Sequence, residues 1–224
     1  MSRVLEVRRL GTVSYPEALA VQRALVEERR ADRVPDLLIL LQHPAVITLG
    51  VKGDGGRSNV MATPERLSEL GIAVEETGRG GDVTYHGPGQ IVGYPILDLR
   101  PDRQDVHRYV RDLEDVMIRT CADYGLDAGR IAGLTGTWLN VEKRAEKIGA
   151  IGVRISRWIT SHGFAFNVST RLDHFQLIVP CGISDRGVTS LEKATGRVFP
   201  LEEVEERIVQ HFAEVFDREI RRAG

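Results

Sequence analysis

Apolar residues recur with the helical period in several segments of the chain. In residues 105–124 they cover one face: Val106, Tyr109, Val110, Leu113, Val116, Met117 and Cys121. The same period predicts a first helix from residue 15 to about residue 33, and a last helix from about residue 201 to residue 220. A short helix is predicted over residues 64–70, because its proline suits a first helical turn.

Shorter apolar runs predict strands. Residues 37–41 are continuously apolar, which is typical of a strand buried on both faces. Residues 91–99 form a second run after a Gly-Pro-Gly turn, and four shorter runs follow residue 124, at 137–141, 148–155, 161–168 and 177–179. Helices that flank a cluster of mostly consecutive strands indicate an α+β fold, with a mixed β-sheet flanked by helices.

The strand predicted at residues 161–168 alternates with period two. One face carries His162, Phe164, Phe166 and Val168, and the other carries Ser161, Gly163, Ala165 and Asn167. A face of small side chains leaves room for a narrow tunnel beside the sheet, in which an acyl chain would gain ~0.8 kcal/mol per buried methylene. A strand that packs closely against a helix has the same pattern, so both interpretations stay open.

The composition is that of an ordinary globular protein, with 224 residues of which 42% are hydrophobic and 28% charged. No linker or repeat divides the chain, so we expect a single domain over residues 1–224. The formal net charge of −2 gives no support for nucleic-acid binding. No apolar run approaches the ~20 residues that cross a bilayer, and two cysteines make a disulfide framework improbable. We therefore expect a cytoplasmic protein without a membrane partner.

Residues 79–90, Arg-Gly-Gly-Asp-Val-Thr-Tyr-His-Gly-Pro-Gly-Gln, form the most informative segment. Glycines permit positive φ and let a backbone approach a ligand closely, so such a loop can line a pocket with N–H groups. A glycine-rich hairpin without any chemistry would contain the same glycines. The arginine, aspartate and histidine placed among them favour a binding site.

The two cysteines differ in their surroundings. Cys121 falls on the apolar face of its predicted helix, where cysteine behaves as a small hydrophobic residue. Cys181 lies between Pro180 and Gly182, just after a predicted strand, where a turn can present its side chain to a pocket. A free thiol is only roughly 3% thiolate at pH 7, so a nucleophilic Cys181 needs a nearby cation or base. The chain has six histidines, and sequence alone selects none of them.

Three motifs, in order, resemble those of the lipoyl(octanoyl) transferases, the acyltransferases of lipoate biosynthesis. They are the loop at 79–90, Lys-Ile-Gly-Ala-Ile-Gly at 147–152, and Pro-Cys-Gly-Ile at 180–183 with Gly-Val-Thr-Ser-Leu at 187–191. The resemblance extends from about His43 to Leu191. It implies the fold of the catalytic domains of biotin and lipoate protein ligases, and it implies no metal and no bound cofactor.

The resemblance also implies site residues. Cys181 would be the nucleophile and Lys147 its partner, because an ammonium group beside the sulfur favours the thiolate and a partly desolvated lysine can take and return a proton. Substrate binding is implied for Arg79, Gly80, Gly81, Asp82, Val83, Thr84, Tyr85, His86, Ala150, Ile151, Gly152, Gly163, Phe164 and Ala165. His86 would either help to polarise a thioester carbonyl or make a structural hydrogen bond.

The implied reaction has octanoyl-acyl carrier protein as donor and an acyl thioester on Cys181 as intermediate. The implied acceptors are lysines in the lipoyl domains of 2-oxoacid dehydrogenase E2 subunits and in the glycine cleavage H protein. One alternative is an ATP-dependent lipoate or biotin protein ligase of the same fold, which needs no cysteine, so the Pro-Cys-Gly-Ile motif favours the transferase. A second alternative, a non-catalytic module that only holds acyl carrier proteins, would make Lys147 and Cys181 dispensable.

Overall fold

Twelve strands and five helices are formed by the residues that the computed structural model describes, which are 3–52, 57–142, 144–179 and 186–222. The strands are β1 (Arg3–Thr12), β2 (Asp36–Gln42), β3 (Val46–Leu49), β4 (Ala73–Glu76), β5 (Thr84–His86), β6 (Gln90–Ile96), β7 (Ala128–Ile131), β8 (Leu134–Leu139), β9 (Glu146–Ser156), β10 (Ile159–Asn167), β11 (Gly187–Val188) and β12 (Arg218–Arg222). The helices are α1 (Tyr15–Arg30), α2 (Pro64–Glu69), α3 (Val106–Asp123), α4 (Leu191–Thr195) and α5 (Leu201–Phe216). Two 3-10 helices cover Arg57–Asn59 and Leu172–Leu177.

Nine of these strands form one mixed sheet. Its order is β12–β1–β2–β6–β10–β9–β8–β7, with β11 paired to β9. The strands β12, β1 and β2 are parallel, whereas the pairs from β2 through β6, β10, β9 and β8 to β7 are antiparallel. The other three strands form a small sheet in the order β4–β3–β5. The predicted α+β fold, a mixed sheet flanked by helices, is confirmed.

Helices cover both faces of the large sheet. Leu38 and Leu40 of β2 pack with α3 and α5 in one apolar cluster, while the other apolar residues of β2 pack with α1 in a second cluster. This strand is therefore buried on both faces, as its continuous apolar run predicts. The apolar face of α3 is also in the core, where Tyr109, Leu113, Val116, Met117 and Cys121 are fully buried. Val106 is exposed instead, because it begins the helix.

Local capping decides where two of the helices begin. Asp105 precedes α3, and its Oδ1 accepts a hydrogen bond from Arg108 N at 3.0 Å. Thr63 caps α2 in the same way, with Pro64 as the first helical residue, as predicted. Helix α1 ends at Arg30, three residues before its predicted end.

The last helix is shorter than predicted. It ends at Phe216, because Asp217 adopts a left-handed conformation with φ of 53°. Arg218 then donates to the buried carboxylate of Asp36 at 2.9 Å, and the next residues continue as β12, parallel to β1. Ile220 therefore lies in a strand, so the helical prediction was wrong for residues 217–220.

The strand predicted at residues 177–179 was also wrong. Leu177 ends a 3-10 helix, and Ile178 makes only an isolated bridge to Val60. Ile178 is apolar because it packs in the small core beneath β3 and β5, where it is 4% exposed. A short apolar run can therefore be as buried as a strand without pairing with one. The strands predicted at 91–99, 137–141, 148–155 and 161–168 are present as β6, β8, β9 and β10, with shifted ends.

Candidate active site

A cavity of about 400 Å³ lies between the large sheet and the glycine-rich loop that connects β4 to β5. We call it the central cavity. It is lined by residues of β5, β6, β9 and β10, by the loop and by the start of α1. Every residue that the resemblance implies for substrate binding lines this cavity except Tyr85, and Lys147 lines it as well. Cys181 lies outside the described residues.

Arg79 anchors the glycine-rich loop to β3. It is buried, and its guanidinium donates to Thr48 O at 2.6 Å and to Thr48 Oγ1 at 2.9 Å. A further N–H donates to Gly80 O at 3.1 Å. Hydrogen bonds from a charged donor are about twice as strong as neutral ones, so Arg79 fixes the loop, which carries five of the fourteen predicted substrate-binding residues.

Glycines allow the loop to lie directly on β9. Gly80 N donates to Val153 O at 3.0 Å, which ties the loop backbone to the strand. A Cβ atom at Gly152 would lie 3.0 Å from Arg79 Cδ and 3.1 Å from Gly80 O, so a side chain there would push the loop away. The missing side chain of Gly152 therefore lets the loop lie against β9.

Strand β5 divides its side chains between the central cavity and a separate core. Thr84 and His86 line the cavity, and Tyr85, between them, points to the opposite side. The Tyr85 hydroxyl is 2.9 Å from His174 Nδ1, and its ring packs edge-on against Phe175. Tyr85 therefore differs from the other residues of its motif: its side chain supports the small sheet and does not line the cavity.

Asp82 lines the cavity but its carboxylate is engaged elsewhere. Its Oδ1 accepts a hydrogen bond from Val83 N at 2.6 Å, and its Oδ2 accepts one from Asn59 Nδ2 at 2.9 Å. Both bonds hold the loop in place. Asn59 O also accepts a hydrogen bond from Val179 N at 2.8 Å, so the chain just before residue 180 is tied to the cavity rim.

His86 is held in one tautomer by a chain of amide side chains. Thr189 O can only accept, and it receives Asn167 Nδ2 at 3.0 Å. Asn167 Oδ1 then receives Gln90 Nε2 at 2.9 Å. Gln90 Oε1 is left to accept His86 Nδ1–H at 2.7 Å. The Thr189 carbonyl, which can only accept, therefore sets the direction of each hydrogen bond in this chain and with it the tautomer of His86.

The protonation state of His86 limits its chemistry. Burial lowers its pKa to about 3, so the imidazole is neutral and its Nε2 carries no proton. A ring in this state has no second N–H to donate to a substrate carbonyl. Of the two alternatives for His86, this geometry favours a structural hydrogen bond.

Further aromatic and imidazole side chains enclose the cavity near α1. Tyr15, Tyr94 and His162 line it, and His43 lies behind them. His43 Nε2 accepts the Tyr94 hydroxyl at 2.7 Å, while its Nδ1–H donates to Val13 O at 2.7 Å. Burial lowers the pKa of His43, and it lowers the pKa of His162 to about 4. This part of the cavity is therefore polar and carries no imidazolium charge. Residue spacing along the chain does not single out these residues, because they come from separate elements.

His162 lies on the face opposite to the predicted one. Its φ is 54°, which interrupts the alternation of β10. Its ring meets Tyr94 edge-on, on the side of the sheet covered by α1, where Ala165 also packs. Phe164 and Phe166 pack on the other side, with α3 and α5. The prediction that His162 shares a face with Phe164 and Phe166 was wrong, because it assumed a regular strand.

Lys147 lies on β9 at a distance from this histidine cluster. Its Nζ is 4.6 Å from the centre of the Trp138 ring, a cation–π distance. Val188 of β11 is its partner in the parallel ladder, and Thr189 N donates to Lys147 O at 3.0 Å. Val188, which follows Cys181 by seven residues in the sequence, therefore lies next to Lys147 in the sheet.

Comparison with known proteins gives the family. A family model for the lipoyl protein ligase A/B catalytic domain matches residues 14–213. An octanoyltransferase of Solibacter usitatus is 52% identical over 96% of this chain and 94% of that protein. An octanoyltransferase of Myxococcus xanthus is 51% identical over 96% of this chain, which spans 60% of that protein's length. The chain belongs to the octanoyltransferase family. It is thus an acyltransferase.

Solved structures of ligases have the same fold as this acyltransferase. A structure of a bipartite lipoate protein ligase system from Thermoplasma acidophilum matches with a TM-score of 0.73 and 16% identity, over 100% of this chain and 87% of that chain. Biotin protein ligase from Aquifex aeolicus, in complex with biotin and ATP, matches with a TM-score of 0.55 and 14% identity, over 95% of this chain and 70% of that chain. The shared fold implied by the sequence resemblance is confirmed.

Cys121 occupies a different environment from the cavity. It is fully buried in the core on α3, and burial raises the pKa of its thiol to about 12. A thiol with this pKa has almost no thiolate at neutral pH, in agreement with the structural role predicted from its helix face.

In the described part of the chain, no three His, Cys, Asp or Glu side chains are grouped to hold a metal ion, and no helix is long and apolar enough to span a membrane.

The buried imidazoles predict a loss of stability in mild acid. The pKa of His86 is about 3 and that of His162 about 4 in the folded protein, against about 6.5 when unfolded. The unfolded chain therefore binds protons that the folded chain does not. The free energy of unfolding should fall by up to ~1.4 kcal/mol per pH unit per histidine between pH ~6.5 and ~4. Denaturant titrations across this range would measure the slope.

Matched variants assign that slope to the two histidines. His86→Gln combined with His162→Gln should make it shallower, because glutamine does not titrate; His43, whose pKa burial also lowers, leaves a residual slope. His107→Gln, at an exposed position outside the central cavity, is the control for the substitution itself. An equally steep slope in the double variant would contradict the assignment.

Proposed function

We propose that the protein transfers an octanoyl group from octanoyl-acyl carrier protein to a lysine of lipoyl domains, through an acyl thioester on Cys181. The observation that carries the proposal is the position of Lys147. It lines the central cavity, and it pairs with β11, the strand that follows the Cys181 segment. The octanoyltransferase relatives and the Pro-Cys-Gly-Ile motif at 180–183 support the same reaction.

The anchors on both sides of residues 180–185 support a nucleophile at this cavity. On one side, Val179 N is bonded to Asn59, whose side chain is bonded to Asp82 of the cavity rim. On the other side, Val188 lines the cavity beside Lys147. Cys181 is two residues from the first anchor, a reach of at most ~7 Å along the chain. A thiol on so short a tether can reach the rim, as the proposal requires.

In the first step, the Cys181 thiolate attacks the carbonyl carbon of the octanoyl thioester. A new carbon–sulfur bond forms, and the bond to the carrier protein's sulfur breaks after a tetrahedral intermediate. Lys147 favours the thiolate through its charge, and it supplies a proton to the departing thiolate. Backbone N–H groups, of the glycine-rich loop or near Cys181, stabilise the oxyanion.

In the second step, the ε-amine of the acceptor lysine attacks the acyl-enzyme. A carbon–nitrogen bond forms, the bond to Cys181 Sγ breaks, and the lysine loses a proton. Lys147, deprotonated in the first step, accepts this proton and is restored. The products are an octanoyl amide and the free enzyme, so the cycle requires neither a metal nor a cofactor.

The central cavity suits a medium-length acyl chain. Between Lys147 and the histidine cluster its walls include Val92, Ile151, Phe164 and Ala165. An apolar chain in such a slot gains ~0.8 kcal/mol for each buried methylene. The proposed acceptors are lipoyl domains of 2-oxoacid dehydrogenase E2 subunits and the glycine cleavage H protein, in the cytoplasm.

The rival function is an ATP-dependent ligase, since ligases share the fold. A thioester is already activated, so the transferase should octanoylate an apo lipoyl domain from octanoyl-carrier protein without ATP or magnesium. Free octanoate should be at least ~100-fold poorer as a donor even with both supplied, because no acyl-adenylate forms. The mass of the acceptor domain, measured for each donor with and without ATP, gives the readout.

An acceptor domain whose target lysine is replaced by arginine is the control, and it should stay unmodified. Modification from free octanoate with ATP, together with none from the carrier protein, would favour the ligase. Absence of transfer from both donors, with binding to the carrier protein retained, would favour the non-catalytic module.

A further inference from the structure

A second cavity lies on the outer side of His162. It measures about 230 Å³ and is located between α1 and the strands β9 and β10. We call it the outer groove. Its apolar lining consists of Leu19, Val26 and Ile159, and the rest of its lining is mostly polar, with exposed residues such as Arg23 and Arg154 at its rim. Among the described residues, His162 is the one that lines both the central cavity and the outer groove.

His162 is held in this position from several directions. Its backbone N donates to Gln22 Oε1 of α1 at 2.7 Å, and Gln22 lines the outer groove. On the other side, its Nδ1 is 3.5 Å from the hydroxyl of Tyr15, which lines the central cavity. The residue is 4% exposed and its backbone is left-handed, with φ of 54°. A buried ring with such a fixed backbone forms a partition between the two spaces.

The His162 ring and the proposed reacting groups lie at different positions along the ladder between β9 and β10. His162 is the ladder partner of Val153, and Lys147 is six residues earlier on the same strand. Six residues of strand span about 20 Å between the two backbone positions, which is roughly twice the length of an extended eight-carbon chain. The side chains of Lys147 and His162 both line the cavity and occupy part of that distance, so a chain with its thioester beside the Lys147 side chain would run along β9 toward the His162 ring. The ring there is uncharged, since burial lowers its pKa to about 4, and an apolar chain end can rest against it.

We propose that the His162 side chain sets the longest acyl group that the enzyme accepts, by separating the central cavity from the outer groove. The inference rests on the proposed function, in which the central cavity holds the acyl chain. A longer chain would have to displace a ring that contacts the Tyr15 hydroxyl and whose backbone is bonded to Gln22, and overpacking of this kind is unfavourable. Without the ring, the apolar part of the outer groove extends the slot.

His162→Gly is the decisive variant. Glycine adopts positive φ readily, so the substitution removes the partition while relieving the backbone. His162→Asn is a second variant, because asparagine also tolerates this conformation and has a smaller side chain. Asn140→Gly is the matched control: Asn140 has φ of 55° and is exposed outside both cavities.

Binding of saturated fatty acids of six to sixteen carbons, measured by calorimetry, gives a readout that does not depend on transfer. For the wild type we expect affinity to rise roughly fourfold per methylene up to about eight carbons and then to fall. For His162→Gly the rise should continue to about twelve carbons, with at least a tenfold gain for dodecanoate relative to octanoate. His162→Asn should be intermediate, and Asn140→Gly should match the wild type.

Transfer assays with octanoyl- and dodecanoyl-carrier protein distinguish a failure of the role proposed for His162 from a failure of the proposed function. Wild-type transfer of octanoate with an unchanged chain-length preference in both folded His162 variants would overturn the partition and leave the function intact. Absence of transfer from every donor would overturn the proposed function, while the fatty-acid series would still decide the partition. Circular dichroism and thermal unfolding establish that each variant is folded.

Discussion

Cys181→Ala is expected to lower the rate of octanoyl transfer by at least ~1,000-fold, because the loss of a covalent nucleophile removes the acyl-enzyme route. The wild-type protein, mixed with octanoyl-carrier protein and no acceptor, should gain the mass of one octanoyl group. Peptide mapping should place that group on Cys181, and the Cys181→Ala protein should gain none. Intact-mass spectrometry and a transfer assay give the two measurements.

Cys121 supplies the control for this experiment. It is the other cysteine of the chain, and burial raises the pKa of its thiol to about 12, so it should not be acylated at neutral pH. Cys121→Ala should therefore retain the adduct and the transfer activity, with some loss of stability from the cavity in the core. An octanoyl group on Cys121, or normal transfer by Cys181→Ala, would refute the assignment.

Lys147→Ala is expected to reduce transfer by about 100- to 10,000-fold, the usual contribution of a positioned acid–base group. The loss of the neighbouring charge should also raise the pH midpoint of Cys181 alkylation by about one to two units. Lys147→Arg should restore much of the alkylation profile but little of the transfer, because a guanidinium does not release its proton. The alkylation rate against pH and the single-turnover transfer rate are measured for each variant.

Lys193→Ala is the matched control, because Lys193 carries a charge close to the same strand. Its Nζ is 2.8 Å from Glu146 Oε1, one residue from Lys147, but it is exposed and does not line the central cavity. Removing it should change neither profile beyond the weak effect of a surface charge. Equal alkylation profiles for the wild type and Lys147→Ala would contradict a thiolate stabilised by Lys147.

Sequence patterns predicted the central elements well where burial was continuous or strictly periodic. The run at 37–41 is β2, buried on both faces, and the apolar face of α3 is in the core as expected. The predictions failed where a few residues set the outcome. Asp217 turned the chain out of α5, and Ile178 was buried without a strand partner. Neither event changes the hydrophobic pattern, so pattern reasoning had no signal for it.

The candidate site divides in a similar way. The sequence by itself pointed to the glycine-rich loop, to the Lys147 motif and to Cys121 as a core residue, because these are carried by residue types at close spacing; the role of Cys181 stays a prediction. Only the tertiary structure brought Tyr15, His43, Tyr94 and His162 together, since they come from parts of the chain as far apart as residues 15 and 162. It also turned His162 to the other face of β10 and Tyr85 away from the cavity. Burial and contacts between distant segments decide such positions, and neither can be deduced from the spacing of residues along the chain.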